Sequence, residues 1–250
     1  MTTPSNTSPF QRSGRVRRPI LAHSRALAVA TVVTTLCLQS GLSLAAESAG
    51  PPALAPNASP PAGAYKIDKS HASLVLRANH MGFSTYTTRF SRFDADLTFD
   101  PKNIAASTVL TTIDATSFEM DAAPQMCLDI MKGPKMLDTA KYPKIVFKSE
   151  NIRMTGPKAM EITGTLSLHG VTRPMVLTAN YNGGYPGMPN MDPLARIGFS
   201  AHGSFKRSDF DIAYGVPAAG TTTGVGDLID FAIEAEFSGP PLAAAPAGAY

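Results

Sequence analysis

The sequence predicts an all-β fold: one antiparallel sandwich or barrel of about eight strands, carrying a single short helix. Three observations predict it. Apolar residues recur with a period of two through most of the chain between residues 64 and 238. Turn-forming strings such as Asp100-Pro101-Lys102-Asn103 and Asn182-Gly183-Gly184 separate the alternating runs. Only the stretch from Asp121 to Lys132 changes to a spacing of four.

Taken in chain order, Phe93, Ala95, Leu97 and Phe99 alternate with Asp94, Asp96 and Thr98. Ile162, Gly164, Leu166 and Leu168 alternate with Glu161, Thr163, Thr165 and Ser167. Ile197, Phe199, Ala201, Gly203 and Phe205 oppose Ser200, His202 and Ser204, and Ile229, Phe231, Ile233, Ala235 and Phe237 oppose Asp230, Ala232, Glu234 and Glu236. Such runs are strands with one face in a core and one in water. Further strands are expected at 72–80, 107–115, 144–154 and 174–182. The helix is expected to start at Asp121 as its cap, to tolerate Pro124 in its first turn and to stop at Gly133-Pro134. Its pairs Met126/Ile130 and Cys127/Met131 make one apolar face, suited to closing one end of a barrel or flanking its wall.

The flanks read differently. Residues 1–45 look like a signal peptide: a basic region ending at Arg25, an apolar stretch from Ala26 to Leu38, and small residues up to Ala45. The general secretory route is expected, although Arg17-Arg18-Pro19-Ile20-Leu21 faintly resembles a twin-arginine signal. Residues 46–63 form an Ala/Pro-rich linker and 239–250 an Ala/Pro-rich tail, with the folded body at 64–238 between them.

The formal charge of +3 invites a guess at an acidic partner, but its location undoes that guess. Taking the leader's five arginines from 22 basic residues leaves 17 against 19 acidic ones. The mature chain is therefore mildly acidic, and nucleic acid is not an expected partner. With Cys37 in the leader, Cys127 is the one cysteine left, so no internal disulfide is expected.

Signatures of catalysis are missing. The chain has no G-x-S-x-G, phosphate-binding loop, H-E-x-x-H or paired cysteines, and neither a catalytic group nor a cofactor is expected. His71 and His80, nine residues apart, would face opposite ways on one unbroken strand, which argues against a metal pair. His202 has solvent-face parity, and His169 sits at a turn before Gly170. What stands out is the inward-facing set. Phe93, Phe99, Phe199, Phe205 and Phe231 share inner parity, with Phe147, Leu97, Leu166 and Ile233. Small inner residues (Ala78, Ala95, Gly164, Ala201, Gly203, Ala235) argue for free space along the axis. A barrel of about eight strands either fills itself or holds one slender ligand, and periodicity alone leaves both open.

Longer strings decide between them. Tyr65-Lys66-Ile67-Asp68-x-x-His71, His80-x-Gly82, Phe90-x-x-Phe93, Tyr142-Pro143-x-x-x-Phe147, His169-Gly170-Val171-Thr172-Arg173-Pro174 and Arg207-Ser208-Asp209-Phe210 together resemble the YceI-like family, in its order, across residues 64–238. The resemblance implies an eight-stranded antiparallel lipocalin-like barrel with one short helix closing or flanking it, exported to the bacterial periplasm. It also implies a long polyisoprenoid chain held inside, without catalysis, and some relatives stand beside membrane b-type cytochromes, which suggests quinone or isoprenoid traffic. Two departures fall near the entrance. Ile130-Met131 and Met136-Leu137 replace the family's usual histidine and paired aromatics, and Asp211 stands where a glycine commonly follows the Arg-Ser-Asp-Phe string.

The expected ligand-binding residues are then Phe93, Phe99, Phe147, Leu166, Phe199, Phe205, Phe231 and Ile233 for the chain, His80 as a polar contact near one end, and Arg207 for an anionic headgroup at a rim. Met126, Ile130 and Met131 would form an adaptable lid. Two rivals remain: a filled barrel acting as a protein-interaction module, and an enzyme or enzyme accessory for a small amphipathic molecule. The second requires a converging acid/base pair in the cavity, such as His80 with Asp68 or an inner carboxylate, and His71 meeting them there would favour it.

Overall fold

A strand that alternates apolar and polar residues has one face that must be covered, and here the sheet covers it by rolling onto itself. The computed structural model describes residues 59–242, so the leader and most of the linker and tail lie outside the described residues. The strands are β1 (Gly63–His80), β2 (Ser84–Phe90), β3 (Phe93–Phe99), β4 (Thr108–Asp114), β5 (Phe118–Glu119), β6 (Lys144–Met154), β7 (Ala159–Leu168), β8 (Val171–Tyr185), β9 (Leu194–Lys206) and β10 (Val225–Pro241), with one helix, α1 (Gln125–Lys132). Pairing of β1 with β10 closes the sheet.

Two of these strands are halves of others. β1 takes β3 as its neighbour through 63–66 and β2 through 75–80, so β2 and β3 form one strand kinked at Ser91-Arg92. β4 and β5 are likewise one strand, kinked by the turn Ala115–Ser117, whose Ser117 hydroxyl accepts from the Arg92 N–H at 3.1 Å. With each kinked pair taken once, the barrel has eight strands, all antiparallel, in a simple meander. This is the architecture that the resemblance implied.

Particular boundaries differ from expectation. β2 was not anticipated, because threonines on both of its faces (Thr85, Thr87, Thr88) blur the alternation of Tyr86 and Phe90. β1 starts at Gly63, well before residue 72, and β10 runs on to Pro241, past residue 238. Polar residues hide the first half of β1 because it bulges. Ile67 opposes Phe237 and Ala72 opposes Ala235, so five steps on one strand match two on the other, and 68–71 loop outward.

The helix also begins later than expected. Asp121 is not its cap; Ala122 has φ 54°, which breaks any helix there, and Pro124 occupies the cap position. The end at Gly133 is as anticipated.

Candidate functional site

Burial along the inner faces shows how the barrel is occupied. On β10, Ile229, Phe231 and Ile233 are half-buried, whereas Ala235 and Phe237 are buried. On β9, Phe205, Ala201 and Phe199 are half-buried and Ile197 is buried. On β1, His80 is exposed, Ala78 and Leu76 are half-buried, and Leu74 is buried. The interior is therefore sealed at the end holding Tyr65 and Phe237 and opens at the end holding His80, Tyr86 and Val225.

Between these ends lies a cavity of about 770 Å³. All ten residues expected at the site line it: Phe93, Phe99, Phe147, Leu166, Phe199, Phe205, Phe231, Ile233, His80 and Arg207. For all of them but Arg207, alternation was the signal, since each inner-parity side chain of a closed barrel points at the axis. Residues outside that expectation also line it, notably Tyr86, Thr88 and Phe90 of the unanticipated β2, and Met160 and Met175. The period of two at 86, 88 and 90 was the available signal.

Three expectations are corrected. Arg207 is not at a rim awaiting an anion; it is 3% exposed and its donors are engaged. Its Nε donates to the Gly226 carbonyl at 3.1 Å, and its terminal nitrogens donate to the carbonyls of Ile212 (3.0 Å), Tyr214 (2.8 Å) and Val225 (2.8 Å). Burial lowers its pKa, while nearby Asp227 works in the other direction; Asp227 itself accepts from the Ser208 N–H and hydroxyl. Arg207 is thus a clamp that ties the 211–226 segment over the barrel end.

The small inner residues do not all leave space. A Cβ on Gly164 would lie 2.2 Å from the Lys148 carbonyl oxygen, and one on Gly203 would lie 2.7 Å from the Phe231 ring. These glycines allow close approach and do not line the cavity, whereas Ala78, Ala95, Ala201 and Ala235 do. The helix face is split as well: Cys127, Ile130 and Met131 line the cavity, but Met126 is 68% exposed and points away.

Rings fill the sealed end. Phe99 stacks on Tyr181 at 6.3 Å and meets Tyr65 edge-on at 6.0 Å, and Phe199 meets Phe237 edge-on at 6.1 Å. Tyr65 is 1% exposed, and its hydroxyl donates to the Pro61 carbonyl at 2.7 Å. Burial, with Tyr181 nearby, pushes its pKa up to about 12. Gly239 is needed beneath the ring, because a Cβ there would fall 2.0 Å from it. Outside this end, Arg196 bonds Asp68 of the β1 bulge at 2.7 Å and Asp192 at 2.8 Å, and the Tyr185 hydroxyl donates to Asp192 at 2.8 Å. Hydrogen bonds from Ser70 and then His71 hold the Asp68 carboxyl well below the usual carboxylate range, and those from Tyr185, the Leu194 N–H and Arg196 lower that of Asp192.

Asp68 and His71 do not join His80 in the cavity. Asp68 and His71 meet each other at 3.1 Å outside the barrel, whereas His80 lies on the cavity beside Tyr86, ring centroids 6.3 Å apart. Among the described residues no group of three or more His, Cys, Asp or Glu side chains is placed to hold a metal. The His169-Gly170 string forms the β7–β8 turn with φ 53° and 78°, and the His169 Nδ1–H donates to the Phe210 carbonyl at 3.1 Å. That bond joins the two most specific strings of the sequence. Asp211 has φ 62°, a conformation that glycine adopts without strain.

The comparisons with known proteins agree with this architecture. The YceI-like domain family matches residues 65–237. Protein YceI of Escherichia coli O157:H7 is 39% identical over 152 residues, covering 59% of this chain and 75% of its own. The crystal structure of the Campylobacter jejuni YCEI protein is similar with a TM-score of 0.53 at 26% identity, covering 64% of this chain and 89% of its own. A polyisoprenoid binding domain from Saccharophagus degradans shares the fold with a TM-score of 0.53 at 14% identity, covering 71% and 99%.

Proposed function

Since this chain belongs to the YceI-like family, we propose that it is a periplasmic carrier holding a polyisoprenoid or quinone-like chain inside its barrel. One observation carries the reading: the cavity of about 770 Å³ is walled mainly by phenylalanine, leucine, isoleucine, methionine and alanine along its length, with Arg77, His80 and Asp121 toward its open end. Each methylene transferred from water into such a lining contributes on the order of 0.8 kcal/mol, so several isoprene units bind without polar anchors. The relative from Saccharophagus degradans, a polyisoprenoid binding domain, supports the same chemistry.

Mass spectrometry of solvent extracts from the exported protein tests this. A prenyl lipid or quinone is expected, and a barrel that stays empty and ignores added prenyl lipids overturns the proposal. Ala201→Leu, which extends a side chain into the cavity, should weaken binding about tenfold while changing stability by less than about 1.5 kcal/mol. The location rests on residues 1–45, and sequencing the N-terminus of the exported chain should find Ala46 first. A membrane b-type cytochrome or quinone system is the partner that the family resemblance suggests.

A further inference from the structure

The cavity opens where the protein carries its most exposed apolar side chains. Phe83, at the tip of the β1–β2 turn, is 84% exposed, and Met126 on α1 is 68% exposed. Ile130 and Tyr214 are exposed as well. These side chains surround one mouth. The Met81 N–H donates to the Gly224 carbonyl at 2.8 Å, the Tyr86 hydroxyl donates to the Asp121 carbonyl at 3.4 Å, and Lys135 Nζ lies 5.2 Å from the Tyr214 ring centre. The hairpin tip, the segment leading into α1 and the 211–224 loop are thereby drawn together. Ile130 belongs to both surfaces, lining the cavity while 42% exposed, so the apolar lining runs out onto the exterior.

We propose that this rim docks on a zwitterionic phospholipid bilayer, with Phe83 and Met126 inserted among the lipids, so that the cargo passes from membrane to cavity without crossing water. The inference rests on the carrier reading. A molecule apolar enough to need this cavity resides in bilayers, and loading it requires contact with one. Phe83 projects nearly free of its own protein, as a side chain that inserts between lipids does, whereas a protein partner packs against a broad surface. Two successive left-handed residues, Met81 (φ 55°) and Gly82 (φ 73°), build the tight turn that presents it. Both signs of charge meet at the rim, Arg89, Lys132 and Lys135 beside Asp121, Asp129 and Asp211, so attraction to anionic lipid is not the driving force.

Flotation of the exported protein with phosphatidylcholine vesicles at low and high salt tests this. The wild type should float, with its bound fraction changing less than about twofold between the two salts. The double substitution Phe83→Ser/Met126→Ser should lower vesicle partition by about tenfold or more. Uptake of farnesol in vesicle-free solution should be the same for both proteins, since neither residue lines the cavity. If the wild type takes up farnesol but does not float, the docking proposal falls and the carrier reading stands. If it takes up neither farnesol nor longer prenyl lipids, the carrier reading falls with it. A wild type that sediments as a dimer without floating, with a double variant that sediments as a monomer, makes the rim a contact between copies and also overturns the proposal.

Discussion

At one end of the barrel Tyr65, Phe99, Tyr181, Phe199 and Phe237 crowd the interior with rings, whereas at the other the inner positions finish at His80, Tyr86 and Ile229 beside open space. Both ends are built from the same alternating strands. The difference lies in what meets across the axis and what holds the connections. Rings interlock at the sealed end, and Arg196 fastens the β1 bulge from outside. At the open end, Arg207 binds the 211–226 segment through backbone carbonyls, leaving the space below it empty. Ring packing closes one end; at the other, Phe205 meets buried Phe210 edge-on at 5.5 Å and the polar clamp holds the connection above. Alternation alone sets which way a side chain points, never whether anything fills the space it points into.

The sharpest way to break the comparison is truncation at each end. Tyr65→Ala should cost about 4 kcal/mol in urea unfolding, because a ring enclosed on all sides leaves a cavity behind. Phe231→Ala, whose half-buried ring packs on Gly203 and Phe205 on one side and borders the cavity on the other, should cost less, about 2 kcal/mol. Equal costs would mean that the two ends are packed alike.

Next comes the clamp. Arg207→Met keeps much of the side-chain volume but strips the hydrogen bonds from four carbonyls, so a loss of about 3 kcal/mol is expected. Hydrogen exchange should rise first in 211–226, and exchange rising equally across the sealed end would contradict a local clamp.

A smaller effect follows pH. Asp68 and Asp192 have depressed pKa values in the folded state, so their contribution is complete above about pH 4, the unfolded carboxylate value, and fades as pH falls through the folded values. Solvent screening reduces it, since both lie near the surface. Tyr65 runs the other way: its contribution is complete below about pH 10 and is lost as pH rises toward about 12. Thermal melts across pH should show both limbs, with the acid limb flattened in Asp68→Asn.

The smallest change is Asp211→Gly. Relief of the left-handed backbone should raise stability by about 0.5 kcal/mol, seen as a slightly higher unfolding midpoint, and a decrease would show that the aspartate contributes more than its strain costs.

Legibility followed the range of each interaction. Phe93 to Phe99 and Ile229 to Phe237 were readable because their alternation is unbroken, and every residue expected at the cavity from such runs does face it. β2 was missed where threonines occupied both faces, and the first half of β1 where the bulge at 68–71 interrupted the period. Arg207 was expected at a rim and is instead buried, because its partners come from Ile212, Tyr214, Val225 and Gly226 in a segment without periodicity. Gly164 and Gly203 looked like empty volume because a sequence lists side-chain sizes and not the backbones that approach them.

By itself the sequence determined the strands with unbroken alternation, their inward faces and the family strings that imply a barrel, since side-chain direction in a strand depends only on position along it. The tertiary structure decided the rest. Closure of β1 on β10 brings together residues as distant as Ile67 and Phe237, and that meeting determines which end fills with rings and which stays open. It also turns Arg207 from an apparent anion site into a clamp and gathers Phe83, Met126 and Tyr214 around one mouth. These outcomes depend on contacts between segments far apart in the chain, which no local period encodes.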